Sequence, residues 1–321
     1  MKPRDLLLYG VVLAFAAWCL LSFRADISQI SLDAVWSAKS AIALATLLSL
    51  LNYLLRIVRW RFYLDRLGHH LPTGFLATTY LAGFAFTLSP GKIGEMARAR
   101  YYNSLGVPLS TTAAAFFVER LMDLLAMTTL ALFAFAVSAR YEMLLWITTA
   151  MMILILAAVA RGPWATCRTR VDSNERLPLR LRKSLSGIFQ TLVTARALLH
   201  PGLLMAGFLL GLAAWASEGV GLMVLGSLAS SAAIDLPAAI GIYAVAIIVG
   251  ALSFLPGGLG STEAAMVALL AAHGYSMPDA LLLTLSCRVL TLWLAVAIGW
   301  IAVFVLRRRP QSTPAMLREI R

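Results

Sequence analysis

The chain has 321 residues, 60% hydrophobic and 13% charged, with a net charge of +12 and a mean hydropathy of +0.83. That balance excludes a water-soluble domain of this size, and several apolar runs reach the roughly 20 residues that cross a bilayer as a helix. The runs are continuous rather than alternating, which speaks against a membrane β-barrel, and the positive charge reads as basic loops against anionic headgroups rather than a nucleic-acid surface.

The first apolar run, Leu6 to Phe23, follows Lys2 and Arg4. It reads as a spanning helix with a cytoplasmic N-terminus rather than a cleaved signal, because Trp18 stands where processing before Cys19 needs a small residue. The loop from Arg24 to Lys39 balances its charges and suits the outside. A second span, Ser40 to Val58, ends among Arg56, Arg59, Arg61 and Arg66, which marks a cytoplasmic end.

Thr73 to Leu88 is a short apolar helix halted by Pro90-Gly91, and a second short helix, Lys92 to Leu105, carries Arg98 and Arg100. The two pieces read as a re-entrant hairpin. A full crossing, Ser110 to Ser138, contains Glu119, Arg120 and Asp123, and Met143 to Ala160 returns. The polar loop 161–200 has eight basic residues against two acidic ones, so it is expected in the cytoplasm, with Leu179 to Leu199 as an amphipathic helix at the interface.

Leu203 to Leu228 crosses next and carries Glu218. Ala238 to Leu255 stops at Pro256-Gly257-Gly258, and a short helix from Ser261 to His273 follows. Asp279 to Leu306 ends the hydrophobic part at Arg307-Arg308-Arg309. Loop 161–200 and the tail agree in side only if the second break is a hairpin from the opposite face. The expected fold is therefore an all-α polytopic membrane protein of about eight hydrophobic segments, with six full transmembrane helices and two opposed re-entrant hairpins. Residues 1–309 form one membrane domain, 310–321 a short basic tail, and both termini are expected in the cytoplasm.

The halves 73–138 and 238–306 share a register. Glu95 to Gly106 and Glu263 to Gly274 are each 12 residues, and Gly106 to Arg120 and Gly274 to Arg288 are each 14 steps. With the topology above this is an inverted repeat, and broken helices meeting at its centre are a transporter architecture.

Eight ionisable residues fall at membrane depth: Lys92, Glu95, Glu119, Arg120, Asp123, Glu218, Glu263 and Arg288. Each unpaired charge at a bilayer centre costs roughly 2.5–3.5 kcal/mol, so these must pair, protonate or face water. Lys92 with Glu95, and Arg120 with Asp123, stand three apart on a helix. Glu119 and Asp123 crowd one face, which calls for a proton on one of them or a basic partner from the other half between them. Glu218 reads as a structural partner or a proton-linked acid.

The breaks Pro90, Gly91, Gly94 and Pro256, Gly257, Gly258, Gly260 are expected to line one site. The short helices after them present N-terminal N–H groups there, and with Lys92, Arg120 and Arg288 these suit a phosphate. Glu95, Glu119, Asp123 and Glu263 balance the charge, and Glu95 and Glu263, in the first turn of their helices, also read as ordinary caps. Cys19, Cys167 and Cys287 form no CxxC pair, and the four histidines have no metal spacing. The sequence shows no nucleotide-binding or catalytic motif, so no cofactor, metal or catalytic residue is expected.

The runs Ser89-Pro90-Gly91-Lys92-Ile93-Gly94-Glu95, Val118-Glu119-Arg120-Leu121-Met122-Asp123 and Leu255-Pro256-Gly257-Gly258-Leu259-Gly260-Ser261-Thr262-Glu263, then Arg288, together resemble the lysylphosphatidylglycerol synthase transmembrane, or flippase-like, family. The likeness runs from Val35 to Leu306. It implies a multi-pass inner-membrane protein that moves or handles phospholipids or lipid-linked molecules, with anionic or lipid-linked membrane lipids as partners. Synthases of that name continue into a soluble aminoacyl-transfer domain; this chain stops at Arg321, so synthase activity is not expected. A membrane enzyme or accessory for lipid-linked sugars or terpenoid lipids is the alternative, and a structural partner for another membrane enzyme the third class.

Overall fold

A computed structural model describes residues 38–135, 139–229 and 232–308. The expected first span and the basic tail lie outside these residues. Among the described residues every regular element is helical.

Helix α1 (Lys39–Arg66) sets the logic of the fold. Ser49, Asn52, Arg56, Arg59 and Tyr63 recur at three- and four-residue steps, so they share one face. All five are buried, while Leu47, Leu50, Leu51 and Leu54 are exposed. This is the reverse of a water-soluble amphipathic helix: the polar stripe faces protein and the leucines face outward, as lipid allows. Arg56 and Arg59 are thus not part of a solvated basic end; only Arg61 and Arg66 of that cluster are exposed.

Helix α2 (Thr73–Phe84) leads into a 3₁₀ segment, Pro90–Ala97. Gly91 and Lys92 there adopt φ of 60° and 56°, which interrupts any helix. The expected helix from Lys92 to Leu105 is therefore reduced to α3 (Arg98–Asn103). Helices α4 (Leu109–Phe135) and α5 (Ala139–Arg161) follow. The basic loop is itself largely helical, with α6 (Trp164–Asp172) and α7 (Leu179–Leu198) packed on each other. Helix α7 also lies against α4 and buries Ala195 and Leu198.

Helix α8 (Pro201–Leu225) runs along α1. Small residues make this approach close, as in other membrane helix pairs. A Cβ on Gly207 would sit 2.6 Å from the Tyr63 hydroxyl, and one on Gly211 2.9 Å from Arg59 Nη1. The Asn52 side chain donates to the Ala214 carbonyl at 2.7 Å across the same seam.

Helix α9 (Leu236–Leu252) ends at the second break, where Gly257 and Gly258 have φ of 63° and 66°. Then come α10 (Ser261–Ala272) and α11 (Met277–Arg288). A π-helical turn, Val289–Trp293, joins α11 to α12 (Leu294–Arg308) immediately after Arg288. Such turns re-aim side chains inside a helix.

Among the described residues, three helices are long and apolar enough to cross a membrane: Lys39–Arg66, Pro201–Leu228 and Met277–Arg308. The pair Trp146–Arg161 and Trp164–Asp172, bent by 62°, makes a fourth if it is one span. Helix α4 is 27 residues long but carries three charged residues, Glu119, Arg120 and Asp123, close together near its middle.

Helix α12 packs on α2 through Gly299, where an added Cβ would stand 2.1 Å from the Ala85 backbone nitrogen. Backbone cannot yield as a flexible side chain can. Gly299→Val is expected to destabilise the fold by about 1–3 kcal/mol or more, the overpacking range. A lowered melting temperature in detergent checks this; an unchanged one contradicts the close contact.

Candidate functional site

The two breaks meet. A Cβ on Gly257 would lie 2.7 Å from the Leu88 side chain, just before the first break. Between them is a cavity of about 200 Å³. Gly91 and Lys92 from the first break and Gly257 and Gly258 from the second line it, with Arg120 and Asp123 of α4 and Arg288 of α11. Its remaining wall is largely apolar, including Leu124, Met127, Ile247 and Leu292.

Beside the cavity lies a buried network of four arginines and three carboxylates. Arg59 is wholly buried; its Nη2 donates to Asp123 Oδ1 at 2.5 Å and stands 3.5 Å from Glu119. This is the basic partner that the crowded Glu119 and Asp123 required, and it comes from α1. Arg120 Nη2 reaches Asp123 Oδ2 at 3.1 Å and Glu119 at 3.3 Å. Arg98 Nη2 donates to Glu95 Oε2 at 2.9 Å, and its guanidinium is 4.4 Å from the ring centroids of both Trp60 and Tyr80. Tyr80 donates to Glu119, Thr87 donates to Glu95 at 3.0 Å, and Trp215 Nε1 donates to Asp123 at 3.0 Å.

Arg56 is placed differently. Its nearest carboxylates, Glu95 and Glu119, are both 3.9 Å away. Its Nε and Nη2 have no hydrogen-bond partner, and neither do Arg59 Nε, Arg98 Nη1 and Arg120 Nε. The Arg56 guanidinium rests among the rings of Phe84, Trp215 and Tyr80, at 5.1, 5.6 and 5.9 Å. Buried donors without acceptors cost about 1–3 kcal/mol each. A ligand with several acceptor oxygens would relieve that.

Arg288 and Glu263 form the smaller counterpart of this network. Arg288 Nε donates to Glu263 Oε1 at 2.6 Å, and Nη2 donates to the Gly257 carbonyl at 2.8 Å. The positions in register make matching pairs: Glu95 with Arg120 at 3.9 Å, Glu263 with Arg288 at 2.6 Å. Gly106 and Gly274, also in register, have φ of 83° and 91°.

Several sequence expectations change here. Lys92 lies more than 4 Å from Glu95, which takes Arg98 as its partner instead. Its left-handed backbone removes it from Glu95's helical face and sets Nζ 5.7 Å from the Trp215 ring centroid. Glu119 is buried beneath the cavity rather than lining it, and Glu263 reaches the cavity only through Arg288. Glu263 also caps α10, accepting from the Gly260 N–H at 2.6 Å. That N-terminus already has an acceptor from its own chain, and the first break has no long helix behind it, so side chains outweigh helix dipoles here. Gly94 is packed against the Phe86 carbonyl, which a Cβ would approach to 2.6 Å. Pro90, Gly94, Pro256 and Gly260 shape the turns without lining the cavity. Arg56, Arg59 and Arg98 were missed as members of the cluster. The polar stripe at three- and four-residue steps along α1 was the signal for the first two.

No group of three or more His, Cys, Asp or Glu able to hold a metal occurs among the described residues. The family comparison decides what such a chain is. The profile of the lysylphosphatidylglycerol synthase TM region matches residues 7–299. The chain belongs to this family. Comparison with curated proteins finds no match. Membership in this membrane-protein family, together with the apolar helices, makes it a multi-pass membrane protein related to lipid handling. In this member, the conspicuous Pro-Gly breaks are where the charge network and the cavity come together.

Proposed function

We propose that the protein is a flippase-like transporter of the inner membrane, moving or handling a phospholipid or other phosphate-bearing lipid. The supporting observation is the charge around the breaks. Arg56, Arg59, Lys92, Arg98, Arg120 and Arg288 face five carboxylates, and four of the arginines keep buried donors without acceptors. That excess suits an anionic headgroup, which arginine grips through parallel N–H groups.

Size favours a headgroup over a whole lipid. At about 200 Å³, the cavity falls below the roughly 300–1,000 Å³ of sites that engulf drug-sized ligands. Acyl chains have apolar surface to follow at the breaks, where Ile93, Phe254, Leu255 and Val289 are exposed. On this reading Lys92, Arg120 and Arg288 contact the phosphate, joined by Arg56, while Glu95, Glu119, Asp123 and Glu263 hold the cations in place. The breaks are the tips of two opposed hairpins in an inverted repeat, and the termini and loop 161–200 face the cytoplasm.

The test is movement of fluorescent phosphatidylglycerol between leaflets of liposomes containing the purified protein. Wild type is expected to exceed empty liposomes. Arg120→Ala removes a cavity cation that is 19% exposed, and is expected to cut the rate about 10-fold or more, the worth of one charge-assisted contact. Equal rates for wild type and empty liposomes would end this reading. Turnover of a lipid-linked sugar by the purified protein, without lipid movement, would replace it with a membrane enzyme.

A further inference from the structure

Glu218 stands apart from the other acids near the breaks. It sits on α8, 3% exposed, and accepts one hydrogen bond, from Ser49 Oγ at 2.8 Å. Glu95, Glu119, Asp123 and Glu263 each have an arginine within 4 Å; among the described residues Glu218 has no cation that close.

Glu218 does face a space of its own, a pocket of about 50 Å³ that also includes Arg56 and Glu95. Lys92, Trp215 and Arg288 line both this pocket and the main cavity, so the two adjoin. Water needs about 10–15 Å³ of such volume and two to four polar partners, and the pocket offers both.

The groups facing Glu218 come from four elements. Tyr53 and Arg56 project from α1, Lys92 and Glu95 from the first break, Tyr243 from α9, and Arg288 from α11. Cys287 of α11 adds a thiol nearby, and Asp123 of α4 is tied to Trp215 on the next turn of α8. Of the cations among these, Lys92 and Arg288 also line the proposed headgroup site, and Arg56 lies beside it.

We propose that Glu218 is a proton-binding site linked to occupancy of the cavity, so that an anionic headgroup and a proton are carried together. A buried carboxylate without a close cation is tolerated as the neutral acid or when nearby positive charge is uncommitted. With the cavity empty, Arg56 and Lys92 are available to balance a Glu218 carboxylate. When a phosphodiester takes those cations, Glu218 takes up a proton from the solution, relayed by pocket water, forming an O–H bond and losing its charge. Release of the headgroup reverses the step. Ser49 remains hydrogen-bonded in both forms, as acceptor or donor.

The link to transport rests on the function proposed above; the proton site itself does not. The site is read first without lipid, by pH-difference infrared spectroscopy of the purified protein. Wild type is expected to show a protonated-carboxyl band that grows in as the pH is lowered, disappears with base and is lost in Glu218→Gln. A wild type without that band, or a Glu218→Gln variant that keeps it, overturns the site. The link is read by proton uptake when dihexanoyl phosphatidylglycerol binds. Wild type is expected to take up about one proton per lipid bound, and Glu218→Gln to bind with little or none. Equal uptake by both overturns the link. Should the band behave as expected while the lipid binds neither protein, the proton site stands and the transport reading fails.

Discussion

Arg59→Ala is expected to cost about 3–5 kcal/mol of folding stability, the range for removing one partner of a buried ion pair. The side chain is fully buried and bonds Asp123 at 2.5 Å while standing 3.5 Å from Glu119. Without it, two carboxylates four residues apart on one helical face lose the cation between them. Arg120 also touches both and softens the loss. The seam with α8 suffers as well, because Gly211 exists to admit the Arg59 guanidinium. Thermal unfolding in detergent checks this, with Arg61→Ala as the control. Arg61 is exposed and its ion pair with Asp65 spans 3.4 Å, so its removal should cost only about 0–1 kcal/mol. Equal melting temperatures for the two variants would show that the network is not what holds α1 in place.

Arg288→Ala should act on both function and structure. It removes the hydrogen bonds to Glu263 at 2.6 Å and to the Gly257 carbonyl at 2.8 Å. Glu263 keeps its bond from Gly260 and is 21% exposed. The stability cost should therefore stay near 1.5–3 kcal/mol, the value of a charged hydrogen bond. Transport should suffer more, because the same change withdraws a cation from the cavity and releases the second break. The expected result is a folded protein with lipid movement near that of empty liposomes. Arg288→Lys should fold better yet recover little transport, since an ammonium cannot reproduce a fork that reaches both partners. Near-normal transport by Arg288→Ala would remove this residue from the site.

The breaks were legible because proline, glycine and charge are improbable together inside apolar runs, and the penalty for them in lipid is large. The pairing of Arg120 with Asp123 followed from spacing on one helix. Spacing misled for Lys92 and Glu95, because Lys92 is itself left-handed, which breaks the helical geometry that the argument assumed. Arg56 and Arg59 were read as a topological marker, since a cluster of arginines after an apolar run usually is one. Their stripe with Ser49 and Asn52 held the better reading. It needed α8 in view, because a polar face of a membrane helix has meaning only once its partner is known.

Composition and hydropathy alone determine the membrane class, since a chain this apolar has no surface for water. The runs at the breaks, together with Val118–Asp123 and Arg288, carry the resemblance to the family that the profile over residues 7–299 shows. Tertiary structure decided which charges meet: Arg59 reaches Asp123 across 64 residues, and Ser49 reaches Glu218 across 169. Side-chain electrostatics act over a few ångströms, and only the packing of α1 against α4 and α8 brings those positions within that distance.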